Sequence, residues 1–222
     1  MIFVVIFLSI YLGYALAHIT GTPAEPLAWA IARTHGVASL YALLDLAALL
    51  AVIAFAIRLW GSSYLNAAVV WSANARDERL IEAGPFRFVR NPLYFGNLIV
   101  GLSVAIMTPP IGVPILLLAM YVFHSALAAH ESTLLQARYG DEYSRYAATV
   151  PALIPRLTPA RANLEPAPHP SLRQGLRAEV LMLYYSIGTI AVAFAPTTNT
   201  FRLFWILFPV AYVVQRILAR AR

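Results

Sequence analysis

Residues 84–97 read GPFRFVRNPLYFGN, and the apolar run LIVGLSVAIM follows directly. The quoted stretch is basic, aromatic and interrupted by prolines, whereas the run behind it has the composition of a membrane helix. Arginine and tyrosine side chains suit the boundary between water and hydrocarbon, where a helix enters the bilayer. The stretch therefore predicts a membrane protein whose polar groups gather at the start of a span.

The composition of the whole chain agrees with this interpretation. Of its 222 residues 60% are hydrophobic and only 12% are charged, with a mean hydropathy of +0.70, whereas soluble domains carry about 25% charged residues. The chain has no cysteine and no lysine. Disulfides, thiolate metal sites, cysteine nucleophiles and lysine Schiff bases are thereby excluded. The net charge of +6 is interpreted as anchoring at a membrane, not as nucleic-acid binding.

Apolar runs predict an all-α, polytopic transmembrane helix bundle of about six spans. A helix rises 1.5 Å per residue, so that about 20 residues cross a hydrocarbon core of about 30 Å. The runs cover about 1–18, 36–60, 92–108, 111–129, 178–195 and 201–218. Residues 22–36 predict an outer connection with a short interfacial helix, and residues 108–112 and 196–200 predict tight turns.

The arginines predict the orientation of these spans. Five lie between residues 58 and 90, six between 138 and 177 and three at the C-terminus, which puts fourteen on one side. Only Arg33 and Arg202 fall on the other side. The positive-inside rule places the fourteen in the cytoplasm. We therefore expect a bacterial cytoplasmic membrane with both termini inside. Residues 15–17 resemble a signal-peptidase site, but the usual basic start is missing, so that a retained first span is favoured.

The third and fourth runs predict a helical hairpin that brings two polar stretches together. Asn91 lies 19 residues before Pro110, and Glu131 lies 21 residues after it. Both arms are roughly 30 Å long at 1.5 Å per residue. The stretch RNPLY and the pair His130-Glu131 should therefore lie side by side at one membrane face, the cytoplasmic one. A carboxylate at the end of an apolar helix indicates a partner or a site.

The sequence after Glu131 predicts a roof over this corner. STLLQARYGDEYSRYAATVPALIP has apolar and aromatic residues at helical spacing, a break at Gly140, and then a short cytosolic amphipathic helix ending near Pro151. The resulting pocket would be basic (Arg87, Arg90, Arg138, Arg145) and aromatic (Phe86, Tyr94, Tyr139, Tyr143, Tyr146). Arginine pairs with carboxylate or phosphate, and aromatic rings stabilise cations. Such a pocket suits a charged cofactor with a flat ring and a lipophilic co-substrate.

Both stretches carry a resemblance to a known superfamily. GPFRFVRNPLYFGN resembles the signature GPYRxVRHPxYxG of the isoprenylcysteine carboxyl methyltransferase and phospholipid methyltransferase superfamily, and HESTLLQARYGDEYSRYAATVPALIP resembles its second signature, EExxLxxxFGxxYxxYxxxVPxxIP. The resemblance covers roughly residues 70–157. It implies methyl transfer from S-adenosyl-L-methionine to a lipid or a small lipophilic acceptor at the cytosolic face. The group that accepts the methyl could be a thiol, an amine or a carboxylate.

The resemblance also implies the site residues and the organisation of the chain. The positions expected to bind the cofactor are Glu78, Arg79, Leu80, Ile81, Phe86, Arg90, Asn91, Pro92, Leu93, Tyr94 and Glu131, with Trp71 as a further candidate. No residue is a convincing general base, and His130 and Arg90 are the candidates for a catalytic role. No metal is expected. The regions are N-terminal transmembrane helices (1–70), a methyltransferase core (71–157), a proline-rich linker (158–174) and a C-terminal transmembrane hairpin (175–222).

Three positions depart from the superfamily pattern. The histidine before proline is Asn91 here, which keeps a donor and an acceptor but does not titrate near neutral pH. The first glutamate of the family pair is His130, which is a possible substitute base. Leu127 stands where some relatives carry a substrate-facing arginine, which argues against a carboxylated prenyl substrate bound in the same way.

Two other functions remain open on the sequence. An NADPH-dependent membrane reductase would carry a signature like RxPNYxGE, but Leu93 and Asn97 occupy the diagnostic positions and disfavour it. A non-catalytic membrane protein with lipid-binding duties is favoured by Asn91. Inside the spans, His124 and Asp45 are expected to form interhelical hydrogen bonds first and a site second.

Overall fold

The computed structural model describes residues 2–65, 80–161 and 169–220, and within these ranges the fold is all-helical. The helices are α1 (Ile2–Thr20), α2 (Leu27–His35), α3 (Val37–Ser63), α4 (Pro92–Ile106), α5 (Gly112–Tyr139), α6 (Asp141–Thr149), α7 (Leu172–Ala178), α8 (Val180–Phe194) and α9 (Thr198–Arg220), with a 3₁₀ turn at Gly84–Arg87. The predicted all-α class is confirmed, as is the short helix expected within residues 22–36.

All six apolar runs form helices, but fewer of them are long enough to cross a membrane. By length and composition α3, α5 and residues 199–218 of α9 qualify, and α7 with α8 makes a fourth if the bent pair is one span. The apolar part of α1 and the 15 residues of α4 are shorter, and α4 reaches only about 22 Å at 1.5 Å per residue. Among the described residues three to four spans are therefore supported, somewhat fewer than the six expected.

Helices α4 and α5 form the predicted hairpin. The turn at residues 107–111 joins them, and the Gly112 amide donates to the Pro109 carbonyl at 2.8 Å. Side-chain pairs along the arms run in opposite directions, since Gly101 faces Met120 while Tyr94 contacts Glu131. The two arms are therefore antiparallel, and they bring the first turn of α4 to the C-terminal half of α5.

The C-terminal helices pack against α3 through small and polar residues. A Cβ on Gly175 of α7 would lie 3.0 Å from the Leu59 carbonyl oxygen, so the two helices approach closely there. In α8 the Ser186 hydroxyl donates to the Ala51 carbonyl at 3.0 Å. Such contacts are typical of helix association in membranes, where apolar surface alone gives no preference for a neighbouring helix over lipid.

A break separates α7 from α8, and the two helices meet at 71°. The side chain of Gln215, from α9, is fully buried beside this break. It accepts a hydrogen bond from the Leu181 amide at 3.0 Å and donates to the Arg177 carbonyl at 2.7 Å. Backbone groups that a helix end leaves unpaired are costly in a bilayer. Gln215 therefore stabilises the bend.

Two polar residues of α3 differ from expectation. Arg58, counted above among the cytoplasmic arginines, lies inside α3 and is 5% exposed. It therefore contributes nothing as a loop charge, and the count falls from fourteen to thirteen; the orientation stays a prediction. Asp45 is exposed on α3, so it does not take the expected role in interhelical packing.

Candidate functional site

The two sequence motifs meet where the hairpin arms end. The Tyr94 hydroxyl, on α4, donates to Oε1 of Glu131 on α5. One residue further along α5, the Ser132 hydroxyl accepts from Tyr143 at 2.8 Å, and the Tyr143 hydroxyl accepts in turn from Nη1 of Arg90 at 2.6 Å. The first motif, at its arginine–asparagine–proline corner, is thus joined to two consecutive residues of α5, to Glu131 directly through Tyr94 and to Ser132 through Tyr143. This agrees with the side-by-side placement that the hairpin geometry predicted.

Helix α6 lies over this corner. Gly140 breaks the chain after α5 with φ +52°, a conformation that glycine adopts without strain. The turn brings Tyr143 and Tyr146 into a buried cluster with Leu80. The Tyr146 hydroxyl donates to the Phe86 carbonyl at 2.8 Å. Burial and, next, the carboxylate of Glu82 raise the pKa of Tyr146, which keeps this donor protonated at neutral pH.

The segment after α6 runs beside the first motif and is bound to it by hydrogen bonds. The bonds are Arg90 N to Pro151 O at 2.8 Å, Asn91 Nδ2 to Ala152 O at 2.9 Å, Arg156 N to Phe88 O at 3.0 Å, Ala160 N to Arg87 O at 2.9 Å and Arg87 Nε to Ala160 O at 2.7 Å. Asn91 therefore joins the two motifs, and Arg87 binds the start of the proline-rich stretch. The first residues of the proline-rich stretch are docked against the 3₁₀ turn.

Arg90 keeps one donor available. Its Nε atom is buried and has no hydrogen-bond partner within residues 2–65, 80–161 and 169–220. Its guanidinium lies 5.6 Å from the centre of the Tyr143 ring, a cation–π arrangement that holds it in place. A buried donor on a guanidinium is costly when unpaired and fits an anionic oxygen. The corner therefore has the chemistry to take the carboxylate of an amino-acid-like cofactor.

The remaining residues expected to bind the cofactor lie in several different environments. Phe86 is buried, Ile81 is half-buried, Pro92 is the first residue of α4, and the Leu93 carbonyl faces α3. His130 is exposed beside Glu131, and a catalytic role for it stays a prediction. Glu78, Arg79 and Trp71 lie outside the described residues.

A buried polar network adjoins the site and was not predicted. Arg58 donates from Nε and Nη2 to the two oxygens of Glu179 at 2.7 and 3.0 Å, and from Nη1 to Asn97 Oδ1 at 2.7 Å. Ser62 donates to Glu179 Oε1 at 2.5 Å. Asn97 Nδ2 lies 3.1 Å from Nε2 of His124. The network joins α3, α4, α5 and the α7–α8 break, and it confirms that His124 makes an interhelical hydrogen bond.

The sequence held only a partial signal for this network. Arg58 and Glu179 are single charges of opposite sign at the edges of apolar runs, which is a pattern that favours pairing. They are 121 positions apart, and nothing local shows that they meet. Arg58 was counted among the cytoplasmic arginines although it falls within the predicted apolar run 36–60, near its end.

An apolar groove of about 190 Å³ lies beside the first turn of α4. It is lined by Ile57, Trp60, Pro85, Phe88, Val89, Pro92, Phe95 and Pro155. Pro92 and Phe95 point into the groove, whereas Tyr94 contacts Glu131. The groove and the polar corner are thus reached from different faces of the same helical turn.

Comparison with known proteins connects this geometry to a family. A family model described as phospholipid methyltransferase matches residues 43–142, which contain the first motif, the hairpin and Glu131. The segment matches the phospholipid methyltransferase family. This confirms the superfamily resemblance carried by the first motif and by the second motif as far as residue 142.

Two curated proteins are similar to the chain over part of its length. The cobalt-zinc-cadmium resistance protein CzcN of Cupriavidus metallidurans is 30% identical over 102 residues, which cover 46% of this chain and 44% of that protein. The nickel-cobalt-cadmium resistance protein NccN of Alcaligenes xylosoxydans xylosoxydans is 30% identical over 140 residues, 62% of each chain. The chain therefore spans less than two thirds of these relatives. No solved structure matches. Among the described residues no group of three or more His, Asp or Glu side chains is placed to hold a metal ion.

Proposed function

We propose that the protein is an integral membrane methyltransferase that uses S-adenosyl-L-methionine and acts at the cytosolic membrane face. Its acceptor would be a lipid or a small lipophilic molecule with a thiol, amine or carboxylate group. The observation that carries the proposal is the convergence of Arg90, Tyr94 and Glu131, from two separate family motifs, on one polar corner at the end of the hairpin.

The residues of the corner fit the polar groups of the cofactor. Arg90 has the buried Nε donor for a carboxylate. Glu131 is an acceptor for an ammonium or hydroxyl group, and Tyr94 orients its carboxylate. The ring of Tyr143 supplies an aromatic wall beside Arg90. Charged and flat-ring groups thus find partners on the residues around the start of α4, on α5 and on α6.

The chain's contribution to the reaction is orientation and exclusion of water. When bound, S-adenosyl-L-methionine supplies an electrophilic methyl group, and methyl transfer needs donor and acceptor in line. Helix α6 and the segment after it cover the corner, which lowers the access of water to a nucleophile. The Asn91 side chain donates its hydrogen bond to the Ala152 carbonyl. Its role in the proposed site is therefore to hold the corner in place, and this role needs no titrating side chain.

The apolar groove supports a lipophilic acceptor. Its lining residues are apolar, and it lies at the end of α3, next to the partly exposed Trp60. A hydrocarbon chain from the bilayer would fill such a groove favourably, at about 0.8 kcal/mol for each methylene removed from water. In the proposal the groove holds the apolar part of the acceptor, and its reactive group extends past the first turn of α4 to the polar corner.

A binding experiment on the purified protein in nanodiscs tests the proposal. We expect S-adenosylhomocysteine to bind and NADPH not to bind. Glu131→Gln should weaken S-adenosylhomocysteine binding about tenfold, because a charge-assisted hydrogen bond contributes about 1.5–3 kcal/mol. Asp141→Asn, which removes an exposed carboxylate from the first turn of α6, is the matched control and should leave the affinity unchanged.

The same measurement separates the rival functions. Saturable binding of NADPH alone would favour a reductase and contradict the proposal. Binding of neither ligand would indicate a non-catalytic relative. If S-adenosylhomocysteine binds, transfer of a labelled methyl group to a panel of phospholipid amines, small thiols and isoprenoid lipids then identifies the acceptor class.

A further inference from the structure

We infer that Glu179 and Arg58 are positioning residues for the proposed methyl-transfer site, and that the C-terminal helices therefore form part of its support. The inference rests on the proposed function and extends it to a region outside residues 43–142, where the family match ends. In physical terms, the buried ion pair between Arg58 and Glu179 fixes the position of the first turn of α4 relative to α5. Tyr94 lies on that turn and is positioned with it.

Glu179 is the fixed end of this arrangement. It is the residue between α7 and α8, its side chain is fully buried, and both carboxylate oxygens accept hydrogen bonds from α3. Ser62 adds a third donor at 2.5 Å. A buried carboxylate with three donors has its charge compensated and its orientation defined. The bend between α7 and α8 is thereby attached to α3 at one point.

Arg58 carries this attachment from α3 to α4. One edge of its guanidinium binds Glu179, and Nη1 donates both to the Leu93 carbonyl at 3.1 Å and to Asn97 Oδ1 at 2.7 Å. The stem of the side chain lies across Gly96, where a Cβ would come within 2.5 Å of Arg58 Cγ. Since a guanidinium is planar, binding Glu179 on one edge fixes where its other edge can donate.

Asn97 passes the constraint to α5. Because its Oδ1 accepts from Arg58, its amide nitrogen donates to Nε2 of His124, and Nδ1 of the imidazole is left to donate to the Met120 carbonyl at 2.7 Å. Both polar side-chain atoms of Asn97 and both ring nitrogens of His124 thus have a partner, and an imidazole whose Nε2 accepts is neutral. The path locks α4 to α5 three residues beyond Tyr94, whose ring centre lies 5.6 Å from that of His124.

The ion pair is better explained by orientation than by stability. Replacing a buried ion pair with apolar residues of similar volume is often neutral or stabilising, because the desolvation cost disappears with the charges. Apolar side chains, however, donate nothing to Leu93 or Asn97. The double variant Arg58→Met/Glu179→Leu therefore keeps the packing volume and removes the hydrogen bonds that connect α3 to the α7–α8 break and to α4.

The test compares this double variant with Ser186→Ala in nanodiscs. Ser186 joins the same two helices, α3 and α8, but lies outside the network. Two quantities are measured: the affinity for S-adenosylhomocysteine, and hydrogen–deuterium exchange of residues 92–97 and 128–132. We expect the double variant to lose about fivefold in affinity, a typical coupling between contacting sites, and to exchange faster in both segments. Ser186→Ala should match the wild type in both quantities.

A cycle with Glu131→Gln shows whether the effect passes through the site. If Arg58 and Glu179 act by placing Tyr94 against Glu131, the double variant should cost little further affinity once Glu131→Gln is present. Unchanged exchange of residues 92–97 in the double variant would overturn the inference, and so would affinity losses that simply multiply. If the wild type binds no S-adenosylhomocysteine, the proposed function fails, and exchange alone then decides the inference by the same criterion.

Discussion

At the scale of single residues, the site depends on which polar groups are already engaged. Tyr94 and Glu131 are at the positions expected from the motifs, and their contact follows from hairpin length and rise per residue. Asn91 was expected as a cofactor residue, and the structure shows its side chain bound to the Ala152 carbonyl. A motif identifies which residues gather at a site. The fold determines which hydrogen-bond donors of those residues remain free to bind a ligand.

The hydrogen bond from Asn91 to the Ala152 carbonyl leads to a prediction. Asn91→Asp keeps the shape but replaces the donor by an acceptor that faces the Ala152 carbonyl oxygen. The lost hydrogen bond and the new repulsion should cost about 1–3 kcal/mol, measured as a lower thermal midpoint and as faster proteolysis at residues 150–156.

Asn91→His is the companion variant. Histidine retains a ring N–H donor, so its affinity for S-adenosylhomocysteine should stay within about twofold of the wild type, well under the tenfold that 1.4 kcal/mol represents. A large gain in affinity or turnover with histidine would show instead that asparagine has weakened a binding or catalytic function at this position.

At the scale of helices, the sequence predicted where each apolar helix lies better than it predicted which of them span. Hydropathy marks an apolar segment, but α4 ends at Ile106 because the residues after it, Thr108-Pro109-Pro110, cannot continue a helix. The bend at Glu179 was not predicted, since no proline or glycine occupies that position. Its cause lies in distant side chains, Arg58 and Gln215.

Two glycines of α4 give a matched prediction at this scale. Gly96→Ala would put a Cβ 2.5 Å from Cγ of Arg58, whose guanidinium is fixed by hydrogen bonds to three residues. Gly101→Ala would meet the unbranched side chain of Met120, with its terminal methyl at 3.3 Å and Cγ at 3.4 Å. Gly96→Ala should therefore destabilise the protein by about 1–3 kcal/mol, and Gly101→Ala by clearly less. Equal thermal midpoints for the two variants would show that Arg58 can move aside.

At the scale of the whole molecule, the buried polar network extends beyond the residues that match the family. Residues 43–142 match the family, but Glu179, which compensates Arg58, lies outside them. Sequence reasoning identified the hairpin core and left the C-terminal helices without a role. It did so because the contact that connects them spans 121 positions, and no local pattern encodes such a pairing.

Removal of residues 158–222 tests this connection. Taking away one partner of a buried ion pair costs about 3–5 kcal/mol, so the shortened chain should be scarce in membranes and sensitive to protease. Adding Arg58→Met to the shortened chain removes the uncompensated charge and should restore part of its abundance. A shortened chain that is as abundant as the full-length protein, with Arg58 intact, would contradict a shared cooperative unit.

The separation between Arg58 and Glu179 also has a consequence for biosynthesis. A ribosome that adds 5–20 residues per second needs roughly ten seconds to make the 121 positions between them. Throughout that interval the nascent chain holds a guanidinium in or near the bilayer without its counter-ion. The hydrogen bonds that connect α3 to the α7–α8 break can form only after Glu179 has been made, and the insertion machinery must keep α3 accessible until then.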